Sequence, residues 1–404
     1  SSSLSLSLSL SLSLSLSLSL SFTVSHSLSL SVSLWMASLN SPAFAHLRGG
    51  HNLSLAESVP AEIFHLVDPY WYQWPPMDQF WFGIIGFVIT VLGVMSLTGN
   101  FIVIYIFTSS KALRTPSNMY VVNLAFSDFM MMFTMFPPVV LNSFYGTWVM
   151  GSFLCELYGL FGSLFGCVSI WSMTMIACDR YNVIVKGMSR KPLTVTGALI
   201  RLAFVWGTCG TWSVVPLFGW NRYVPEGNMT ACGTDYFAKD WFNRSYIIVY
   251  SLWAYLVPLL TIIFSYWFIM KAVIAHEKAM RDQAKKMNVT SLRNSEADKG
   301  KSIEIKLAKV ALVTISLWFL AWTPYTIINY AGIFETMHLS PLSTICGSIF
   351  AKANSVCNPI VYGLSHPKYK QVLREKIPCL ACGKPDSGSD DKTQATTEVS
   401  ESAA

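Results

Sequence analysis

A lysine stands near the middle of the apolar run "SIFAKANSVCNPIVYGL", inside residues 341–364, a stretch long enough to cross a bilayer, which takes about 20 helical residues. An ionised group at that depth is expensive and marks a functional site by default. Lys352 is therefore either paired with a neighbouring acid for packing or kept for its chemistry. An uncharged amine is a nucleophile that condenses with an aldehyde, and the charge returns on the imine. Three more ionisable residues sit in apolar runs: Asp128, and the adjacent Asp179 and Arg180. The last two can be ordinary interfacial charges or a working ion pair. Asp128 has Asn100 and Asn358 as polar company in other runs, and the three can share waters in one buried network.

The elements that must position these groups are membrane helices. The chain has 404 residues, 52% hydrophobic and 12% charged, where a soluble domain carries about 25% charge. Apolar runs fall near 82–107, 118–143, 152–183, 196–217, 245–274, 306–333 and 341–364, so the fold expected is an all-α membrane protein, a seven-transmembrane helix bundle. The net charge of +6 does not point to nucleic acid, because the basic residues lie in short loops between apolar runs. Lys111 and Arg114, then Lys186, Arg190 and Lys191, then the 275–301 loop and the residues after span seven hold most of them. The positive-inside rule places those loops in the cytoplasm and the N-terminus outside. The sequons at Asn52 and Asn228 fall on the outer side, where glycosylation is expected. Nine scattered cysteines argue against a disulfide scaffold and a zinc site, leaving one or two bridges at most and no metal.

The flanks divide as follows. Residues 1–35 are a Ser/Leu repeat, alternating almost perfectly, which is set aside from the fold; translation of a dinucleotide repeat upstream of a true start at Met36 would produce it. Residues 36–81 are expected to be an extracellular tail, 82–364 the bundle, 365–382 a short amphipathic cytoplasmic helix, and 383–404 a disordered cytoplasmic tail. Within "SHPKYKQVLREKIPCLAC", Tyr369, Val372 and Leu373 share a helical face among basic residues. Such a helix lies on the inner leaflet, with Cys379 and Cys382 as palmitoylation sites, or else the segment is a solvated basic tail with inert thiols.

Asp179-Arg180-Tyr181, at the inner end of span three, resembles the D-R-Y signature of rhodopsin-like G-protein-coupled receptors. The resemblance extends through Asn100, "LAFSD" ending at Asp128, Trp206, Pro258, "AWTP" at 321–324 and "NPIVY" at 358–362, each on its own span. It implies a clasp of Arg180 with Asp179 and with Glu304 at the foot of span six, tyrosines Tyr266 and Tyr362 that receive the helix movement, and pivots at Pro258, Pro324 and Pro359. It also implies a Cys155–Cys232 disulfide.

"FAKANSVCNPIVYG" is similar to an opsin seventh helix, which makes Lys352 the attachment point of 11-cis retinal, or a close derivative, as a protonated Schiff base. Vertebrate visual opsins carry an acid on span three where this chain has Tyr158, so the counterion expected is Glu226, as in invertebrate opsins, with Glu156 as runner-up. By family position the pocket draws on Gly162, Ser163, Gly166, Tyr250, Tyr255, Trp322 and Tyr325. The pieces "HEKAMRDQAKKMN" and "HPK" resemble invertebrate visual opsins, implying a Gq-class heterotrimeric G protein, arrestin and a receptor kinase as partners, a bistable photoproduct and a place in rhabdomeric microvilli. Three other readings share the lysine: a microbial-type pump, a retinal photoisomerase and a light-independent chemosensory opsin. The triplet at 179–181, the 358–362 motif and the long basic 275–301 loop favour a signalling receptor.

Overall fold

The structure, a computed structural model, describes residues 54–187, 191–286, 296–365 and 367–377. Asn52, Cys379, Cys382 and the Ser/Leu repeat lie outside the described residues, and Glu304 lies in a described helix although its side chain is outside them.

Seven long helices make the bundle. The first two are Gln79–Ser109 and Asn118–Tyr145, the third is Gly151–Tyr181 and the fourth Val195–Val214. The fifth runs from Trp241–Ser251 through a π-turn, Leu252–Leu256, into Val257–Lys286; the sixth is Glu296–Phe334 and the seventh Pro341–Ser365. Several starts are fixed by short polar side chains on otherwise unsatisfied amides. Asp78 accepts from the Phe80 N–H, Thr194 from Gly197 and Asp240 from Asn243. The second helix ends at Gly146, whose φ of 70° belongs to the left-handed region. The π-turn lies just ahead of Pro258, where the ring removes a backbone donor and crowds the turn before it; one looser turn relieves that conflict.

Six helices are apolar enough throughout to be recognised as spans. The seventh is diluted by its own inward face, where Thr344, Ser348, Lys352, Asn354, Ser355 and Asn358 are all buried. Its opposite side and the outer faces of the fourth, fifth and sixth helices show large apolar groups to the outside, among them Phe350, Leu320, Ile200 and Phe264. The third helix is the axle: 56% of its most apolar stretch is buried, against 17–44% for the other five.

One end of the bundle carries a folded cap. The expected tail is, over its described part, three short 3-10 turns at Ala56–Ser58, Ala61–Leu66 and Pro69–Gln73. They bury Leu55, Ile63, Leu66 and Trp71. Tyr70 latches the cap to the connection between the sixth and seventh helices: its hydroxyl donates to the Leu339 carbonyl at 3.0 Å and accepts from the Leu339 N–H at 2.8 Å. Its ring stacks on Phe237 at 4.1 Å. Beneath the cap lies an antiparallel hairpin, β1 Tyr223–Pro225 against β2 Cys232–Thr234, with Pro225 opposite Cys232. The Cys155–Cys232 disulfide is formed and ties the hairpin to the third helix. The Asn228 side chain of the second sequon is fully buried in the hairpin turn and donates to Thr230 of that sequon at 2.6 Å.

At the opposite end, Pro367–Lys376 forms the short helix expected after span seven. Tyr369, Val372 and Leu373 face inward as their spacing requires, but they are buried against the bundle, with Tyr369 stacked on Phe107 at 5.6 Å. The apolar stripe is therefore spent on the first helix rather than on a leaflet alone. Trp71, at 1% exposure, is the largest anchor of the cap; Trp71→Ala should lower stability by about 3–5 kcal/mol, seen as a lower thermal midpoint of the purified chain.

Candidate functional site

Beneath the hairpin the helices enclose a cavity with a mostly apolar, aromatic-rich lining, the character usual for small-molecule sites. Gly162, Ser163 and Gly166 of the third helix line it, with Tyr250 and Tyr255 of the fifth, Trp322 and Tyr325 of the sixth, Lys352 of the seventh and Glu226 of the hairpin. Nine residues named from the sequence thus meet in one space.

Lys352 is 5% exposed. Its ammonium donates to Ser348 Oγ at 2.5 Å, one turn earlier on the same helix. Among the described residues it makes no ion pair, so packing against a neighbouring acid does not explain it. Glu226, buried in the hairpin turn, puts the negative charge in the same cavity, where its Oε1 accepts from the Tyr325 hydroxyl at 2.7 Å. Glu156 is half-buried beside Cys155 and takes no part in the lining. Tyr158 stands behind the wall rather than in it: the Lys352 Nζ lies over its ring, 5.7 Å from the centroid. Its buried hydroxyl has no hydrogen-bond partner among the described residues.

The glycines let neighbouring side chains come close, Gly166 against the rigid Trp322 ring and Gly162 against the flexible end of Met135. A Cβ on Gly166 would stand 2.6 Å from Trp322 Cη2, and one on Gly162 would stand 2.7 Å from Met135 Cε. Gly233, unremarked in the sequence, has the same role for the charge: a Cβ there would strike both the Glu226 carboxylate and the Tyr325 hydroxyl. Ser348 was also missed, although its position four residues before Lys352 puts both on one helix face. Met131 and Met135 add soft apolar wall. Farther from the lysine, Ser163 donates to the Tyr250 hydroxyl at 2.9 Å, and Tyr255 shares a 2.7 Å hydrogen bond with Thr323. An aromatic, mostly apolar chamber with an amine on one wall and a carboxylate on another fits an elongated apolar molecule bearing a carbonyl.

Deeper in the bundle, Asp128 is gripped directly. Asn358 donates to its Oδ2 at 2.6 Å and Ser169 to its Oδ1 at 3.0 Å. Asn100 joins the first helix to the seventh elsewhere, donating to the Ser355 carbonyl at 2.8 Å. These direct bonds make two clamps on the seventh helix.

At the far end Arg180 and Asp179 pair at 2.6 Å, both buried. They line a small cleft with Asn118, Ala311 and Tyr362. Tyr266 ties the fifth helix to the sixth by donating to the Ala308 carbonyl at 3.0 Å. Tyr181 points instead to the fifth helix, its ring 5.8 Å from that of Phe264.

Residues 99–362 match the family described as 7 transmembrane receptor (rhodopsin family). The chain is 83% identical over 369 residues to Opsin Rh6 of Drosophila melanogaster, an alignment spanning 91% of this chain and 100% of that one. It is 62% identical over 363 residues to Opsin-1 of Schistocerca gregaria, covering 89% and 94%. The crystal structure of squid rhodopsin superposes with a TM-score of 0.74 at 35% identity, over 81% of this chain and 94% of the other. Because Asn358 supplies one of two donors to a buried carboxylate, Asn358→Ala should cost about 1.5–3 kcal/mol, measurable as a lowered thermal midpoint in detergent.

Proposed function

The chain belongs to the rhodopsin family of seven-transmembrane receptors, among the arthropod opsins, and from that we propose that it is a visual photoreceptor that holds retinal covalently on Lys352. The observation that carries this reading is a buried amine, without an ion-pair partner among the described residues, opening into an aromatic chamber whose wall bears Glu226. When bound, retinal supplies an aldehyde carbon for the lysine and an 11-cis double bond that light converts to all-trans.

This chain's residues do the rest. Ser348 orients the amine by the hydrogen bond it accepts from Nζ. Glu226 supplies the compensating charge for the positive centre on Lys352, and Tyr325 and Gly233 keep that carboxylate in place. Low dielectric makes the attraction long-reaching here. Trp322, packed against Gly166, is the ring on which a change in the bound chromophore's shape would press, and Pro324, two residues on, is the pivot through which the sixth helix would follow. The Tyr266 bond to Ala308 and the Arg180–Asp179 pair are the contacts that loosen, with Glu304 as the third member of the clasp and Tyr362 beside the cleft.

The partner is a heterotrimeric G protein, of the Gq class, whose tail enters that cleft; arrestin and a receptor kinase end the signal, and Lys352 would keep hold of the chromophore through illumination, making the pigment bistable. The basic loops put the clasp end in the cytoplasm and the disulfide-bearing cap outside, in a multi-pass protein of rhabdomeric microvilli. The family acts as receptors, and this chain signals rather than turning over a substrate.

Lys352→Ala should abolish visible absorbance on addition of 11-cis retinal in the dark; a variant that still forms a covalent visible pigment would sink the attachment site. Glu226→Gln should move absorption toward the ultraviolet as the positive centre loses its compensating charge, while an unchanged spectrum would assign that charge to another acid. Illumination should accelerate nucleotide exchange on a Gq-class protein without releasing retinal; release without exchange marks a photoisomerase.

A further inference from the structure

Two thiols outside this machinery meet at the edge of the cavity. Cys167 on the third helix and Cys209 on the fourth are buried and unbridged. Cys209 Sγ donates to Cys167 Sγ across 3.2 Å. A disulfide holds its sulfurs about 2.05 Å apart, so closing this pair takes an approach of a little over 1 Å between helices already in contact. Access is unequal: Cys167 lines the cavity and Cys209 lies behind it. A small neutral oxidant entering the chamber therefore meets Cys167 first.

We propose that Cys167 and Cys209 form a redox modification site, in which hydrogen peroxide converts the two thiols into an intramembrane disulfide joining the third helix to the fourth. The Cys167 sulfur attacks one peroxide oxygen; the O–O bond breaks, one water leaves and the sulfur becomes a sulfenic acid. The Cys209 sulfur then displaces that hydroxyl as a second water while the S–S bond forms. The thiols give up two protons and two electrons, and the peroxide takes both up as water. A lone cysteine would stop at the sulfenic acid or go on to the sulfinic acid; here the resolving sulfur is already in contact. The bond would lock a face of the cavity, since Ser163, about one turn from Cys167, is held to the fourth helix by the Ser213 hydroxyl at 3.3 Å.

The test uses the full-length chain in membranes, treated with hydrogen peroxide, quenched, denatured in iodoacetamide and digested without reductant for mass spectrometry. The expected result is a peptide joined through Cys167 and Cys209, with carbamidomethylation of both falling together and recovering after dithiothreitol. In Cys209→Ser the joined peptide should be lost and Cys167 should be captured by dimedone as its sulfenic acid. Wild-type Cys167 and Cys209 that stay fully alkylatable overturn the proposal. So does a dimedone adduct or sulfinic acid on wild-type Cys167 with Cys209 still alkylated, a result that holds whether or not the variant folds.

Discussion

A charge in the middle of a membrane protein must be neutralised, paired or solvated, because the surrounding hydrocarbon and apolar side chains offer it nothing. The arrangement around Lys352 is ordered by that demand. Its own helix provides an acceptor, Ser348, while the carboxylate proposed to balance it, lining the same chamber, comes from a hairpin far away in sequence. Distributing the two charges across one chamber, instead of joining them in a contact ion pair, leaves the nitrogen available to a ligand and keeps a negative charge ready for it. A direct Lys–Glu bond would have satisfied both groups and removed the chemistry.

That distribution works only if water is kept out and the hairpin cannot drift. The cap, the disulfide and the hairpin form one lid: Tyr70 fastens the cap to Leu339, Cys155 fastens the hairpin to the third helix, and Tyr325 fastens Glu226 to the sixth. The close approach of Glu226 and Tyr325 passes over Gly233, where any side chain would part them. Stiffness at the lid contrasts with the bundle below, where prolines in the sixth and seventh helices and a π-turn in the fifth leave backbone bonds missing along the path from chamber to cleft. Rigidity holds the charges, and the weakened helices are free to move.

The two clamps on the seventh helix connect these zones. Asn100 holds the Ser355 carbonyl and Asp128 holds Asn358, so the helix bearing the lysine is registered against the first and second helices at points within two turns of the amine. In the proposed activation the sixth helix would move against that fixed reference, disturbing the Arg180–Asp179 pair and the Tyr266 bond.

The helices were legible in the sequence because length and hydropathy alone dictate that a backbone in lipid close its own hydrogen bonds. Lys352, Asp128, Asp179 and Arg180 were legible because charge in an apolar run is costly and marks a functional site by default. Resemblance carried the lining residues and the Cys155–Cys232 bridge. Sequence could not show that the N-terminal segment folds as a cap, since its three short turns have no periodicity and owe their order to the surface they cover. Nor could it show that Asn228 is buried, because a sequon specifies local chemistry and not exposure. The inward docking of Tyr369 was similarly hidden, as an amphipathic stripe reads alike whether it meets lipid or protein. Ser348 lies one turn from Lys352 on the same helix and was within reach of the sequence, whereas the roles of Gly233 and of the contact between Cys167 and Cys209 depend on which atoms different helices and the hairpin bring within a few ångströms, and that distance is set by packing in three dimensions and by nothing local in the chain.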